Sequence, residues 1–264
     1  MRAVWFAFRT CLQGRTAPDW VALLHERCRT HVSGGSRHNK ERPNESVNRT
    51  ATPLTVPWKH VVDAIVRKRD MVAPNRAVLV GVSGIDGSGK GFVSAQLAGA
   101  LRGASLNMAL ISADDWLNVP KVYLNPENYA EHFYSHAIRF DEMFERLILP
   151  LRDHRSVDVL ADCGNAKATS HHKHRYVFQN IDVVLLEGIF LFKRTYREYF
   201  DLKVWVECSN ETALKRAIAR GQEGLPPSET QHAFETIYFQ AQRIHIDRDD
   251  PRTTADLILH NDDS

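Results

Sequence analysis

The chain has 264 residues, of which 43% are hydrophobic and 25% charged, and its formal net charge is +2. This composition is typical of a globular protein with a sizeable core, and the near-neutral balance gives no general indication of nucleic-acid binding. The sequence holds no apolar stretch of the about 18 residues that a membrane-spanning helix needs. We therefore expect neither a nucleic acid nor a membrane as a partner.

The positive charge is concentrated at the N-terminus. Residues 1–55 carry nine Lys or Arg and four Asp or Glu, which leaves the remainder slightly acidic. Residues 31–55 are polar and interrupted by Gly and Pro, a composition typical of linkers. The sequence predicts a flexible or poorly ordered segment over 1–55, followed by one folded domain over 56–264.

The cysteines do not form a recognisable framework for disulfides or metal binding. No Cys-x-x-Cys pair occurs among Cys11, Cys28, Cys163 and Cys208. A domain of this length does not need disulfides to be stable, so we expect reduced thiols and a cytoplasmic protein.

Within the folded domain, hydrophobic periodicity predicts alternating helices and strands. In chain order, the expected elements are a helix at 58–69, a strand at 77–82, a helix at 90–102, a strand at 108–113, a helix at 128–148, strands at 157–161, 182–187 and 203–207, helices at 211–221 and 228–244, and a strand at 256–260. Continuously apolar strands separated by helices favour an α/β fold of three layers, with a mostly parallel sheet of about five strands covered by helices on both faces.

A glycine-rich phosphate loop follows the first strand. Residues 84–90 read Gly-Ile-Asp-Gly-Ser-Gly-Lys, and a helical pattern comes directly after them. The glycines allow successive backbone amides to point at a polyphosphate, and Lys90 adds a positive charge near the β- and γ-phosphates. A simple turn with a surface lysine is the alternative interpretation, but it does not explain the glycine spacing. The predicted nucleotide-binding residues are Gly84, Ile85, Asp86, Gly87, Ser88, Gly89, Lys90, Gly91 and Phe92.

The loop departs from the usual pattern at its last position. The motif normally ends in Ser or Thr, whose hydroxyl binds Mg²⁺, whereas this chain has Gly91. Either water or Ser94, one helical turn further on, could take the place of that hydroxyl.

Acidic residues end two of the predicted strands. Asp114 and Asp115 follow the strand at 108–113, and Glu187 ends the strand at 182–187. In an open α/β sheet, ligands bind beyond the carboxyl ends of the strands, so these acids are expected at the same edge as the phosphate loop. Asp114 or Asp115 could deprotonate an attacking hydroxyl, and Asp114 and Glu187 could hold Mg²⁺. Helix capping and a strand-end turn are the structural alternatives.

Basic and polar residues of the C-terminal third suggest further contacts. Arg216 and Arg220 share one face of a helix and could neutralise charge on a transferring phosphoryl group, although a solvated basic face would look the same. Residues 238–252, including Gln242 and Arg243, could contact a sugar or a base, or could be an exposed helix. The run at 171–174 is rich in histidine, but its spacing fits no closed metal site.

Taken together, these segments resemble the uridine kinase and phosphoribulokinase family of P-loop kinases over roughly residues 57–262. The phosphate loop, Asp114-Asp115-Trp116, and 184–191 are similar to family motifs in the same order. So are 201–207 and 251–261. The stretch 125–129, followed by Phe140 and Asp141, is similar to the family's substrate-side segment.

The resemblance implies a kinase that uses ATP and Mg²⁺ and transfers the γ-phosphoryl group to a hydroxyl. It implies catalytic roles for Lys90, Asp114, Asp115, Glu187, Arg216 and Arg220, and substrate contacts for Asp114, Tyr129, Asp141, Gln242 and Arg243. Self-association is common in the family and is left open for this chain.

The acceptor is expected to be the 5′-hydroxyl of uridine or cytidine. The chain lacks the His-Pro that many nucleoside-specific members place before Phe-Asp, so a sugar phosphate, glycerate, pantothenate or another hydroxylated metabolite is a second candidate. With Gly91 at the metal position, a nucleotide-binding regulator with weak turnover is a third.

Overall fold

The computed structural model describes residues 58–164, 170–221 and 225–262. The segment predicted to be flexible, residues 1–55, lies outside the described residues. The helices are α1 (Trp58–Met71), α2 (Lys90–Gly103), α3 (Pro120–Tyr123), α4 (Tyr129–His136), α5 (Phe140–Met143), α6 (Leu149–His154), α7 (Asn210–Arg220), α8 (Pro227–Ala233), α9 (Phe239–Asp249) and α10 (Pro251–Thr254). Short π-helical stretches, Phe144–Ile148 and Phe234–Tyr238, join α5 to α6 and α8 to α9.

The centre of the fold is a parallel sheet of five strands. Its strands are β1 (Val78–Gly84), β2 (Met108–Ser112), β5 (Val183–Gly188), β6 (Leu202–Glu207) and β7 (Leu257–His260). Their spatial order is β2-β5-β1-β6-β7, and every neighbouring pair is parallel. The predicted α/β fold with a mostly parallel sheet of about five strands is confirmed.

Helices cover both faces of this sheet because side chains along its strands alternate between two cores. On β1, Val78, Val80 and Val82 pack with α1 and α2, whereas Leu79 packs into the larger core on the other face. All seven residues of β1 are buried. This explains why the strand reads as a continuous apolar run.

The long helix predicted over 128–148 is interrupted. After α4, Ile138 forms an isolated antiparallel bridge with Leu117, and the backbone amide of Arg139 donates to the carbonyl of Trp116 at 3.0 Å. These contacts with a distant segment replace helical hydrogen bonds. The helical pattern resumes at Phe140 and continues through α6 to His154.

The strand predicted at 157–161 is present but lies outside the central sheet. It forms β3 (Val157–Cys163), which pairs antiparallel with an unpredicted strand, β4 (His172–Phe178), in a separate hairpin. Every second residue at the start of β3 is exposed, as in a hairpin with one face open to solvent. β4 contains most of the histidine-rich run. Among the described residues, no group of three or more His, Cys, Asp or Glu is arranged to hold a metal ion.

Two further observations concern membrane-spanning helices and cysteines. None of the described helices is both long and apolar enough to cross a membrane. Cys163 and Cys208 are free thiols, while Cys11 and Cys28 lie outside the described residues.

The carboxylate of Asp201 holds the starts of two neighbouring strands together. Asp201 accepts two hydrogen bonds from the guanidinium of Arg76, at 2.6 and 2.8 Å, and one from the backbone amide of Leu79 at 2.9 Å. The amide of Asp201 in turn donates to the carbonyl of Leu79. Asp201 therefore joins the start of β1, and Arg76 just before it, to the start of β6.

Replacing Asp201 with Ala should destabilise the fold, because it leaves a partly buried guanidinium and a strand amide without their acceptor. We expect the free energy of unfolding to fall by about 1–3 kcal/mol, measured by urea denaturation. Asp158→Ala is the matched control, since it removes an Arg-paired carboxylate from the exposed face of the hairpin and should change stability little. Equal losses in both variants would contradict the assigned role of Asp201.

Candidate active site

The phosphate loop leaves the carboxyl end of β1 and enters α2 at Lys90. Gly87 and Gly89 adopt left-handed backbone conformations, with φ of 79° and 88°. The amide of Ser88 donates to the carbonyl of Ile85 at 3.1 Å, which closes the loop on itself. This is the curled backbone that the glycine spacing predicts, with a helix N-terminus behind it.

Close packing also requires the glycines. A Cβ atom on Gly87 would lie 2.5 Å from the carbonyl oxygen of Ala213 in α7, and one on Gly89 would collide with the side-chain amide of Asn261. Asn261 follows β7 and donates from Nδ2 to the carbonyl of Ser88 at 2.7 Å. The loop is thus held between α7 and the segment after the last strand of the sheet.

The phosphate loop ends with Lys90 and Gly91, and Gly91 stands where the motif normally has a hydroxyl. The Nζ of Lys90 donates to the carbonyl of Ile85 at 2.9 Å, so the ammonium lies over the loop. Within the described part of the chain, no atom of another segment lies within 4 Å of a Cβ built on Gly91. Ser94 is fully buried on the sheet-facing side of α2, and its hydroxyl has no hydrogen-bond partner among the described residues.

The predicted acids lie at the same sheet edge as the loop. Glu187 is paired in register with Val82 of β1 on one side and with Ser112 of β2 on the other. The hydroxyl of Ser112 donates to Oε1 of Glu187. Asp114 and Asp115 follow directly in a 3₁₀ turn, Ala113–Trp116. The strand order β2-β5-β1 therefore places Glu187 between the loop and the Asp pair.

The two aspartates have different electrostatic surroundings. Burial, followed by the negative charges of Glu187 and Asp86, raises the pKa of Asp114 to about 7, against the opposing charge of Lys90. Burial also raises the pKa of Asp115, but there the opposing groups are His174 and His172 of the hairpin. Asp114 thus lies beside the phosphate loop with Glu187 and Asp86, and we call these three acids the carboxylate cluster. Asp115 lies toward β4.

The carboxylate cluster has the chemistry that a magnesium ion requires. Burial first, and then repulsion by Glu187, raises the pKa of Asp114, and a divalent cation would relieve that repulsion. Mg²⁺ commonly takes one or two carboxylates and completes its octahedral shell with phosphate oxygens and water. These two residues fit that requirement even though Gly91 offers no oxygen from its side chain.

Arg216 lies next to the phosphate loop. Its Nη1 is 3.8 Å from a Cβ built on Gly89, and it also contacts the Sγ of Cys208 at 3.8 Å. Arg220 is one turn further along, at the end of α7, where Gly221 caps the helix with φ of 55°. The structure therefore places Arg216 beside the phosphate loop, and Arg220 on the same helix at a greater distance along its axis.

The predicted substrate residues do not form one group. Tyr129 is half-buried at the start of α4 against the larger core. Asp141 accepts a hydrogen bond from the hydroxyl of Tyr196 at 2.5 Å, in a groove beside α5 and α6. On α9, Gln242 is buried while Arg243 is exposed, so the two side chains leave the helix in different directions.

Asn261 is the residue near the loop that the sequence did not identify as part of the site. Its contact with Ser88 spans 173 positions of the chain. An Asn immediately after a predicted edge strand carries no local signal for such a contact.

The chain is similar in sequence to known proteins. The model of the phosphoribulokinase / uridine kinase family matches residues 79–224, from β1 to just beyond α7. The uridine kinase of Staphylococcus carnosus is 30% identical over 148 residues, which cover 55% of this chain and 69% of that protein. Uridine-cytidine kinase B of Dictyostelium discoideum is 27% identical over 168 residues, which cover 63% of this chain and 65% of that protein.

A solved structure extends the likeness to the fold. A protein of Bacillus stearothermophilus described as a possible uridine kinase aligns with 77% of this chain and all of its own, with a TM-score of 0.59 and 17% sequence identity. At this identity the match concerns the fold alone. Since the family model covers more than half of the sequence, the chain belongs to the phosphoribulokinase / uridine kinase family and is a kinase with the P-loop fold.

Proposed function

We propose that this protein transfers the γ-phosphoryl group of ATP to the 5′-hydroxyl of uridine or cytidine. The observation that supports phosphoryl transfer is the convergence of the phosphate loop, Lys90, Asp114 and Glu187 at one edge of the sheet. The nucleoside acceptor is supported by the names of the relatives, a uridine kinase and a uridine-cytidine kinase.

In this proposal, the loop amides and Lys90 bind the phosphates of ATP, and Arg216 offsets negative charge on the transferring group. Asp114 orients the acceptor hydroxyl and accepts its proton as the new O–P bond forms. The bond between the γ-phosphorus and the bridging oxygen breaks, and ADP leaves. The pKa of about 7 belongs to the metal-free site, and a bound Mg²⁺ would lower it, so Asp114 would be ionised near neutral pH and able to accept the hydrogen bond of the acceptor hydroxyl. Mg²⁺, held by Asp114 and Glu187, would supply charge neutralisation of the phosphate oxygens.

The second candidate keeps the reaction and changes the acceptor to another hydroxylated metabolite, such as a sugar phosphate, glycerate or pantothenate. It is favoured by the missing His-Pro before Phe140. The third candidate is a nucleotide-binding regulator with weak turnover, and Gly91 is the residue that favours it.

Acceptor-dependent ADP release tests the proposal directly. Purified protein with Mg-ATP is offered uridine, cytidine, ribose phosphates, pantothenate and glycerate singly, and we expect release with uridine or cytidine. Lys90→Ala should lower kcat by about 10²–10³-fold because it removes a charge from the phosphate site. Lys121→Ala, an exposed lysine on α3, is the matched control and should retain activity. Release with a different acceptor alone would overturn the nucleoside assignment.

Adding a hydroxyl at position 91 separates the enzyme from the regulator. Gly91→Ser should fold normally, since the site has open space, and should lower the Mg²⁺ concentration for half-maximal activity by about tenfold. Gly91→Ala adds the same Cβ without the oxygen and should not do so. If the natural protein shows no acceptor-dependent turnover and the serine variant acquires it, the regulator is the correct interpretation.

The carboxylate cluster should make stability depend on pH. The folded state raises the pKa of Asp114 from about 4 to about 7, so it binds this proton more tightly than the unfolded chain does. The contribution of Asp114 to stability therefore declines as pH rises from about 4 to about 7 and is constant above that range. Urea denaturation without Mg²⁺ should show that Asp114→Asn gains stability relative to the natural protein across this window. A pH-independent difference would contradict the assigned charge cluster.

A further inference from the structure

A second group of polar side chains is buried on the inner face of α9. His245 is completely buried and Gln242 is 2% exposed. They are three positions apart, so their side chains are neighbours on one side of the helix. Among the described residues, the side-chain amide oxygen and nitrogen of Gln242 have no hydrogen-bond partner, and the same holds for Nε2 of His245. Such groups are rarely left unpaired in a folded protein.

The other nitrogen of His245 is firmly held. Its Nδ1 lies 2.7 Å from Oδ2 of Asp249, which also accepts a hydrogen bond from the hydroxyl of Tyr134 at 2.7 Å. The backbone amide of Arg194 donates to Oδ1 of the same carboxylate at 3.0 Å. Burial opposes the charge of Asp249, but the hydrogen bonds from His245, Tyr134 and Arg194 outweigh it and lower its pKa to about 2.

This arrangement fixes the tautomer of the imidazole. Burial lowers the pKa of His245 despite its ionised neighbour, so the ring is neutral near pH 7. An ionised carboxylate only accepts hydrogen bonds, and the single N–H of the ring must therefore be on Nδ1. The Nε2 atom is left with a lone pair, which attracts a hydrogen-bond donor and repels an anion.

The group lies directly behind the carboxylate edge of the sheet. The ring of His245 is 5.5 Å from that of Phe190, which comes three residues after Glu187 and has a left-handed φ of 60°. Between them, Gly188 packs so closely on Ala113 that a Cβ would lie 2.6 Å from it, and Ala113 precedes Asp114. The polar face of α9 thus packs on Phe190, in the segment that follows Glu187, and Gly188 of that segment packs on Ala113, the residue before Asp114.

We propose that His245 and Gln242 bind an uncharged group of the phosphoryl acceptor that carries a hydrogen-bond donor, either a hydroxyl or a ring N–H. Asp249 is the positioning residue that sets the tautomer of His245. This inference rests on the proposed function and narrows its acceptor class. The Gln242 amide can both donate and accept, which suits the amide edge of a pyrimidine base or the hydroxyls of a ribose. A carboxylate or phosphate at this point would face the lone pair of Nε2.

His245→Phe tests the contact, because it keeps a ring and removes the lone pair. We expect the KM for uridine to rise by about tenfold or more while kcat changes much less, since a buried hydrogen-bonding site rejects a mismatched partner strongly. Tyr134→Phe is the matched control. It removes one hydrogen bond from Asp249 but leaves His245 paired, and its KM should change by less than about twofold.

Two uridine analogues show whether the hydrogen-bond donor to Nε2 of His245 is the ring N–H of the base or a hydroxyl of the ribose. 3-Methyluridine lacks the ring N–H, and 2′-deoxyuridine lacks one ribose hydroxyl. The natural protein should bind one of them more weakly than uridine, and His245→Phe should bind that analogue and uridine equally. Unchanged discrimination against both analogues in the variant would overturn the inference.

Calorimetry with uridine and a non-hydrolysable ATP analogue gives a readout without turnover. Uridine binding by the natural protein together with equal binding by His245→Phe overturns this inference alone. No nucleoside binding by the natural protein overturns the nucleoside acceptor as well.

Nitrogen NMR of the natural protein needs no variant that might fail to fold. The Nε2 resonance of His245 should be that of an unprotonated nitrogen and should shift when uridine is added, while Nδ1 stays protonated. A protonated Nε2, or an Nε2 signal that uridine leaves unchanged at saturation, would contradict the proposal.

Discussion

The close approach of the phosphate loop to two distant segments is the constraint on which the site depends. Gly87 lies against the backbone of α7, and Gly89 lies against the side chain of Asn261. Left-handed backbone conformations at both positions bend the chain sharply between β1 and α2. A side chain at either glycine would push apart the helix that carries Arg216 and the end of the sheet.

The strand order of the sheet places the acidic residues of the site. Because β5 lies between β1 and β2, its last acid, Glu187, is held beside both the loop and the turn that carries Asp114. Burying Asp114 beside the charges of Glu187 and Asp86 costs stability, and both effects raise its pKa. Such local cost is common where a protein is built to receive a cation or a proton, and the buried cores on both faces of the sheet compensate for it.

Much of this fold could be predicted from the sequence, since the strands of the central sheet are apolar runs with clear limits. The prediction failed where pairing partners decide the structure. β4 has mostly polar side chains, because one face of its hairpin is open to solvent, so no hydrophobic pattern marks it. The break after α4 comes from backbone contacts with Leu117 and Trp116, about twenty positions earlier, and these override a good helical pattern.

For the site, the loop and the strand-end acids could be predicted because each is defined by a local motif. The difference between Asp114 and Asp115 could not, since it depends on which neighbours each side chain faces after folding. The polar pair on α9 was only partly foreseen. The sequence predicts a contact for Gln242 but gives no signal for His245, because the burial of His245 and its bond to Asp249 appear only in three dimensions.

The hydrogen bond from Asn261 to Ser88 has a consequence for how the protein is made. A chain emerging from the ribosome completes β1, the phosphate loop and α2 long before residue 261 exists. Domains fold as units during synthesis, and contacts this far apart in sequence form late. The nucleotide cradle should therefore remain loose through most of translation and tighten when the final strand joins the sheet. ATP can then act as a ligand that favours the finished domain over its incomplete precursors.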